Sequence, residues 1–129
     1  MPYKPKFFAP DEFNCTCCGK NISTDKLLKT CDTIRSYLQR PVIIVSGTRC
    51  KEYNASLKGS VPNSGHITGE AADIRVEGMT NKQLGDFIKL LDKGKLLPYL
   101  TYCYLIKGKT NTSVHIGVDA KPRKNKFAF

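Results

Sequence analysis

The sequence predicts a single α+β domain, an antiparallel β-sheet backed by helices, over residues 1–129. Helical and strand-like segments follow one another in the order helix, strand, strand, helix, strand, strand, and no internal repeat interrupts them. The 129 residues, 40% of them apolar, are enough for one hydrophobic core, so a second domain is not expected.

The first predicted helix covers residues 23–40. Ser23 or Thr24 can cap its N-terminus, and Pro41 prevents it from continuing. Its spacing of apolar side chains predicts one buried face, formed by Leu27, Leu28, Cys31, Ile34 and Leu38.

The second predicted helix covers residues 80–94. Thr80 and Gln83 have the spacing of a capping box, and Gly94 is a typical stop signal. Its inward face is predicted to contain Leu84, Phe87, Ile88 and Leu91.

Four short segments rich in β-branched and aromatic residues predict strands, at residues 41–46, 70–77, 100–107 and 112–119. The polar turn 108–111 joins the last two, which are therefore expected to be antiparallel. Residues 47–69 are rich in Gly, Ser, Asn and Pro and predict a long loop. Loops of this length are uncommon and are often functional.

Both ends of the chain have a distinct composition. Residues 1–22 are predicted to be irregular, with Phe7 and Phe8 packing against the body, and residues 121–129 form a basic C-terminal tail. The formal net charge is +10, which favours polyanionic partners such as nucleic acid, anionic lipid or a cell wall. Because no nucleic-acid-reading motif accompanies the charge, a solubilising basic surface is favoured over a specific nucleic-acid site.

No apolar run approaches the roughly 20 residues that span a bilayer, and the N-terminus lacks the apolar region of a secretory signal. We therefore expect a protein made in the cytoplasm without membrane insertion, and we expect a monomer. An extracellular target would require another exit route.

The six cysteines leave three alternatives open. Three lie in the run "CTCCGK" (Cys15, Cys17, Cys18), and Cys31, Cys50 and Cys103 stand singly. Reduced, partly buried thiols come first in our interpretation, one or two disulfides second, and a structural metal third, because the run lacks the paired C-x-x-C motifs of a zinc ribbon.

The candidate for chemistry is the stretch "NSGHITGEAADI", residues 63–74. His66 ends the predicted loop, Asp73 lies on the next strand, and His115, the other histidine of the chain, lies on the last strand. Two histidines and one carboxylate, with a fourth position open to water, form a ligand set of catalytic zinc. Taken alone, the same residues also fit a polar histidine and a turn aspartate.

The chain resembles the zinc D-Ala-D-Ala peptidases of the M15 family, in particular their short branch common in bacteriophages. The family pattern S-x-H-x-x-G-x-A-x-D is met at Ser64, His66, Gly69, Ala71 and Asp73, the upstream S-G-x-R at residues 46–49, and the downstream histidine at His115. The opening "DEFNCTCCGK" also resembles phage members. The resemblance implies the fold shared by these DD-peptidases and the hedgehog signalling domain.

The resemblance also implies roles for individual residues. His66, Asp73 and His115 would hold zinc. Arg49 would grip a substrate carboxylate or carbonyl as a catalytic and substrate-binding residue, and Ser64 would hydrogen-bond the bound peptide.

The general base departs from the family pattern. Many members carry a carboxylate three residues before the last histidine, where this chain has Thr112. Asp119 is the first candidate to replace it: it shares a strand face with His115, and it can reach the site if the strand bends or bulges at Gly117. Glu70 is the second candidate.

The function that the resemblance implies is a zinc-dependent peptidoglycan peptidase, either a D,D-carboxypeptidase or a cross-link endopeptidase. Such an enzyme would be a phage or bacterial cell-wall hydrolase that reaches the wall through a holin. The alternative is a catalytically inactive zinc module that binds muropeptide or a protein partner, and Thr112 favours it. A nucleic-acid binder would leave both histidines unexplained.

Overall fold

The protein is a single α+β domain, as the sequence predicts, in a computed structural model that describes residues 3–57, 64–108 and 110–129. Four strands form one antiparallel sheet in the order β1-β2-β4-β3. The strands are β1 Ile43–Ser46, β2 Ala71–Arg75, β3 Tyr102–Leu105 and β4 Val114–Gly117. The helices are a 3₁₀ turn at Pro10–Phe13 followed by α1 Asp25–Leu38, α2 Lys51–Ser56, α3 Gly65–Thr68 and α4 Asn81–Lys93.

Helix α1 begins and ends close to the predicted positions. Thr24, rather than Ser23, is the cap, and its side chain accepts a hydrogen bond from the backbone amide of Leu27. The helix ends before Pro41, and Gln39 adopts the left-handed conformation there. Of its predicted apolar face, Leu27, Leu28, Cys31 and Ile34 are buried, and Leu38 is partly buried.

Helix α4 confirms both of its predicted end signals. The Thr80 hydroxyl accepts from the Gln83 amide, the Gln83 side chain accepts from the Thr80 amide, and Gly94 is the C-cap. Its buried apolar residues are Leu84, Ile88 and Leu91, with Phe87 partly buried.

The prediction of one long loop over residues 47–69 is wrong in two places. Residues 51–56 form α2 and residues 65–68 form α3, while residues 58–63 lie outside the described part of the chain. Side-chain caps explain both helices: the Cys50 sulfur accepts from the Tyr53 amide, and the Ser64 hydroxyl accepts from the His66 amide. Neither cap was predicted, and helices of six and four residues are too short for hydrophobic periodicity to reveal.

The two central strands are the most deeply buried part of the sheet. Every residue of β4 and all of β2 except Arg75 are buried, because helices and terminal segments cover them. Edge strand β1 is more open, and Val45 is 48% exposed. The central position of β2 and β4 places any functional side chain on them next to a rigid, fully paired backbone.

Both chain ends pack against this body. In the N-terminal segment Phe8 is buried whereas Phe7 is 46% exposed, so only one of the predicted aromatic pair packs inward. The basic C-terminal tail folds back along β3: the Cys103 amide donates to the Lys126 carbonyl, and the Ala128 amide donates to the Cys103 carbonyl. The tail therefore lies beside the edge strand β3 and pairs with it at a single bridge, between Cys103 and Phe127.

In the part of the chain that the structure describes, the helices are too short and too polar to cross a membrane.

Gly69 provides a test of how α3 is fixed to the body. It has φ 75°, and a Cβ added there would lie 2.1 Å from the Ile22 carbonyl oxygen. We expect Gly69→Ala to lower the free energy of unfolding by more than the about 1–3 kcal/mol that a left-handed non-glycine residue costs, because backbone must also move. Urea denaturation followed by circular dichroism measures the change.

Gly78→Ala is the matched control. Gly78 has φ 81°, but its added Cβ would meet only the end of the Arg40 side chain, at 3.2 Å. If the two variants lose equal stability, the close contact between Gly69 and Ile22 has no energetic importance.

Candidate metal centre

Three side chains from different elements converge on one point. His66 lies on α3, Asp73 on β2 and His115 on β4, and one ligand atom of each lies within 4.8 Å of the others. The Asp73 Oδ1 atom is 3.2 Å from His66 Nε2 and 2.9 Å from His115 Nδ1. All three residues are buried. The structure thus brings together the three residues that the sequence grouped.

Strand pairing explains the approach of two of them. Asp73 and His115 are directly opposite in the antiparallel register of β2 and β4, so their side chains project from the same face. The short helix α3, capped by Ser64, then carries His66 over that face. The Gly69 amide closes the helix by donating to the Gly65 carbonyl, and the chain passes directly into β2.

The orientation of His66 favours a cation at this point. Its Nδ1 lies 2.7 Å from the Gly47 carbonyl oxygen, to which it can only donate. A neutral ring then has a lone pair at Nε2, facing the negatively charged Asp73 Oδ1. A positive charge between the two atoms removes this repulsion, and a carbonyl that fixes the far nitrogen is typical of metal-binding histidines. The donor set fits a divalent metal.

The protonation states of Asp73 and His115 are those of metal ligands. Burial alone would raise the pKa of Asp73, but its contacts with the His115 and His66 rings hold that pKa well below its usual value. Burial lowers the pKa of His115. At neutral pH the carboxyl group is therefore ionised and the His115 ring is neutral, as metal coordination requires.

Arg49 occupies the other side of the Asp73 carboxylate. Its Nη2 donates to Asp73 Oδ2 at 3.3 Å, its Nε to Ser46 Oγ at 3.1 Å, and its Nη1 to Asn54 Oδ1 at 3.2 Å. These bonds orient Asp73 so that Oδ1 faces the histidines. The predicted role of Arg49 in holding substrate stays a prediction, and two of its five N–H groups are not used by these bonds.

Ser64 has a structural role next to its predicted one. Its hydroxyl oxygen caps α3 by accepting from the His66 amide at 3.2 Å. Ser64 also lines a cavity of about 500 Å³ that opens beside His115. The hydroxyl hydrogen can still be donated into that cavity, so hydrogen bonding to a peptide stays a prediction.

The same cavity contains residues that the sequence reasoning missed. Tyr104 stacks on the His115 ring at 4.5 Å and 14°, and Tyr102 lies 5.8 Å from it. Lys121 and Arg123, assigned to the basic tail, also line the cavity. The alternation of Tyr102 and Tyr104 along β3 was a usable signal for the tyrosines, since both face the strand of His115. No sequence pattern indicated Lys121 and Arg123, because they reach the cavity only when the C-terminal tail folds back along β3.

Asp119 is held in an ion pair. Arg123 donates to its two carboxylate oxygens at 2.7 and 3.1 Å, and the Lys121 amide donates to Oδ1 at 3.0 Å. Burial opposes ionisation, but these bonds keep the pKa of Asp119 below its usual value. A Cβ added to Gly65 would lie 3.5 Å from Asp119 Oδ2, so the carboxylate is close to the residue that precedes His66.

The bulge at Gly117 that would allow Asp119 to reach the site is not observed. Residues 114–117 pair in continuous register with both β2 and β3. A register shift occurs instead between Ile44 and Ser46 of β1. Asp119 therefore approaches α3 from beyond the end of a regular strand, and its role in proton transfer stays a prediction.

The other two positions considered for the general base are engaged locally. The Glu70 carboxylate accepts from the Thr68 hydroxyl at 2.6 Å, and the Thr112 hydroxyl lies 3.0 Å from that of Thr110. Neither residue belongs to the group of three metal-ligating side chains. Glu70 stays the second candidate.

In this α+β domain two histidines and one carboxylate converge over one face of the sheet. Hydrolytic metalloenzymes use such a ligand set. A family model described as Peptidase M15 matches residues 6–119, which is nearly the whole chain. The chain therefore belongs to the M15 peptidase family, a family of generally zinc-dependent metallopeptidases. A comparison with curated proteins gives no match.

The geometry around Asp73 predicts that Arg49 cannot be replaced by lysine without loss. An ammonium group cannot make the three separately directed bonds of the guanidinium group. We expect Arg49→Lys to reduce the free energy of unfolding by about 1.5–3 kcal/mol, the range for a lost hydrogen bond to a charged group. Chemical denaturation of the metal-free protein measures it.

Arg75→Lys is the control, because Arg75 forms an exposed pair with Glu77 at 3.2 Å. Such pairs contribute about 0–1 kcal/mol. Equal stability of Arg49→Lys and Arg75→Lys would contradict the role of Arg49 in orienting Asp73.

Proposed function

We propose that the protein is a zinc-dependent peptidase that cleaves a D-Ala-containing bond of peptidoglycan, as a D,D-carboxypeptidase or a cross-link endopeptidase. The observation that carries the proposal is the convergence of His66, Asp73 and His115 in a member of the M15 peptidase family. The net charge of +10 supports an anionic wall as the substrate.

The ligands of the zinc ion would be His66 Nε2, Asp73 Oδ1 and His115 Nδ1, the atoms that face one another. When bound there, zinc supplies polarisation of the scissile carbonyl and activation of water at neutral pH. The Gly47 carbonyl keeps the His66 ring in the tautomer that exposes Nε2. Arg49 keeps Asp73 turned toward the histidines.

The cavity beside His115 would receive the peptide. Its open volume of about 500 Å³ is in the range of a small-ligand site. Lys121 and Arg123 bring positive charge to its wall, which suits a peptide with a free carboxylate, and Ser64 can donate one hydrogen bond. Tyr104 limits access of bulk water to His115 by stacking on its ring.

Asp119 is the proposed residue that accepts a proton. Its carboxylate is ionised at neutral pH and lies close to Gly65 at the entrance of α3. To take up a proton it must weaken its bonds to Arg123. A substrate carboxylate that attracts Arg123 would do so, and the base would then become active only when the substrate is bound.

The first test compares two aspartates. Asp73→Asn should abolish hydrolysis and remove one zinc ion per chain, because a neutral amide is a poor ligand and leaves the histidines without their shared partner. Mass spectrometry of a muropeptide digest reports both the cleavage and the bond that is cut. Elemental analysis reports the zinc.

Asp86→Asn is the matched control, since Asp86 is exposed on α4 and pairs with Lys82. It should keep full activity and full zinc content. Full hydrolysis by Asp73→Asn, or by protein stripped of metal with a chelator, would reject the zinc mechanism.

The second test separates a proton acceptor from a partner of Arg123. Asp119→Asn should reduce kcat about 10²-fold or more if the carboxylate takes the proton. Arg123→Gln leaves the carboxylate in place but removes the group that lowers its pKa. The pKa of Asp119 in the free enzyme then rises, so the acid limb of the pH–kcat/KM profile should move to higher pH in Arg123→Gln.

An unchanged kcat in Asp119→Asn would exclude the residue as the base. In that case Glu70→Gln is the next variant to measure by the same profile.

The alternative function is an inactive zinc module that binds muropeptide or a protein partner. Two observations favour it. Thr112 stands where many relatives carry the base, and the Asp119 carboxylate is engaged in an ion pair with Arg123. This function is distinguished by stoichiometric zinc and measurable muropeptide binding without any cleaved product across the pH range.

We also propose that the protein acts at the cell wall as a phage or bacterial lytic enzyme that is released by a holin-type route. The support is the family and the basic surface. Lysis of host cells only when a holin is co-expressed would be the expected result.

A further inference from the structure

A second group of metal-ligating side chains lies outside the His66/Asp73/His115 centre. The sulfur atoms of Cys15, Cys18 and Cys50 lie within 4.8 Å of one another. Cys17 lies between Cys15 and Cys18 in the chain, outside this group of three, and its thiol interacts electrostatically with that of Cys50. We propose that these four cysteines bind a structural zinc ion, separate from the peptidase centre.

The backbone around Cys15 is already shaped as a ligand turn. Cys15 and Cys18 have the C-x-x-C spacing, followed by Gly19 with φ 76°. The Gly19 amide donates to the Cys15 carbonyl at 2.8 Å, and the Cys15 amide donates to the Lys20 carbonyl at 2.7 Å. The turn therefore holds the first and fourth residues of the motif side by side, as one half of a zinc knuckle requires.

Backbone amides are directed at the Cys15 sulfur. The Cys50 amide donates to it at 3.4 Å, and the amides of Cys17 and Cys18 also donate to it. Amide donors that gather around one sulfur stabilise a thiolate, which is the form that binds metal.

The closeness of the sulfur atoms itself favours a bound cation. Without a cation, negative charge on one sulfur opposes negative charge on its neighbours. A divalent metal reverses this, and binding of zinc by four thiols would release their protons without any oxidation.

Cys31 and Cys103 differ from this group in every respect. Both are fully buried in the hydrophobic core, and burial raises the pKa of Cys103 to about 12. They pack as small apolar side chains. They therefore provide matched controls for thiol removal.

The proposed zinc site would fasten the N-terminal segment to the segment that precedes α2. Cys50 follows Arg49 directly, and 35 residues separate it from Cys15. Close by, the Thr48 amide donates to the Phe13 carbonyl at 2.9 Å, and a Cβ on Gly47 would meet the same carbonyl oxygen at 2.6 Å. The cysteine site thus reinforces a contact next to the carbonyl of Gly47, which orients His66.

Counting zinc separates this site from the peptidase centre. Protein purified in reductant and supplied with zinc should contain two ions per chain by native mass spectrometry. Cys18→Ser and Cys50→Ser should each contain one, and serine at position 50 can still cap α2. Asp73→Asn should also contain one, and the double variant of Asp73→Asn with Cys18→Ser should contain none.

Cobalt gives a second readout that does not depend on activity. Co²⁺ supplied to the wild type and to Asp73→Asn should produce thiolate-to-metal charge-transfer absorption, which Cys18→Ser should lose. Cys31→Ala and Cys103→Ala should keep both zinc ions and the absorption.

The proposal is overturned if reduced wild type holds at most one zinc and Cys18→Ser keeps it, or if charge-transfer absorption never appears. It is also overturned if the mass of native protein shows disulfides and the reduced protein takes up no thiolate-bound metal. Failure of the proposed peptidase centre gives a different pattern, in which the ion lost in Cys18→Ser is the only one bound.

Discussion

The site depends on the buried carboxylate of Asp73, whose two oxygen atoms contact different partners. Oδ1 faces His66 and His115, and Oδ2 accepts from Arg49. A carboxylate in a buried position is costly unless each oxygen is hydrogen-bonded or coordinated. The arrangement satisfies this condition only when α3, β2, β4 and the segment before α2 are all in place, so the candidate metal centre requires the complete fold.

The segment from β1 to α2 links the site to the rest of the molecule. It provides the Gly47 carbonyl that orients His66, the guanidinium group of Arg49, and a cysteine that meets the N-terminal thiols. Its backbone also pairs with Phe13 and holds Ile22 through the Thr48 hydroxyl. Residues 47–50 have no strand pairing of their own, but contacts with several segments fix their position. A site that uses directed hydrogen bonds requires such a fixed backbone.

The proposal that Asp119 acts as the base in place of a carboxylate at position 112 depends on its ion pair. Asp119 is bound to Arg123 and lies beyond the end of β4. The same ion pair supports two interpretations, a base that is released by substrate and a base that is permanently blocked. Because Arg123 also covers the Tyr102 ring at 3.9 Å, its position is determined by more than one contact.

The sequence by itself determined the elements whose signals are local. Capping residues and apolar spacing located α1 and α4, the β-branched segments located the strands, and the spacing of His66 and Asp73 identified two candidate ligands. Only the tertiary structure decided what depends on distant residues meeting. The register of β2 with β4 brings His115 opposite Asp73, the fold-back of the C-terminal tail brings Lys121 and Arg123 to the cavity, and the segment before α2 brings Cys50 to Cys15. Local sequence patterns do not predict these contacts, because the contacts arise from packing between segments that are tens of residues apart in the chain.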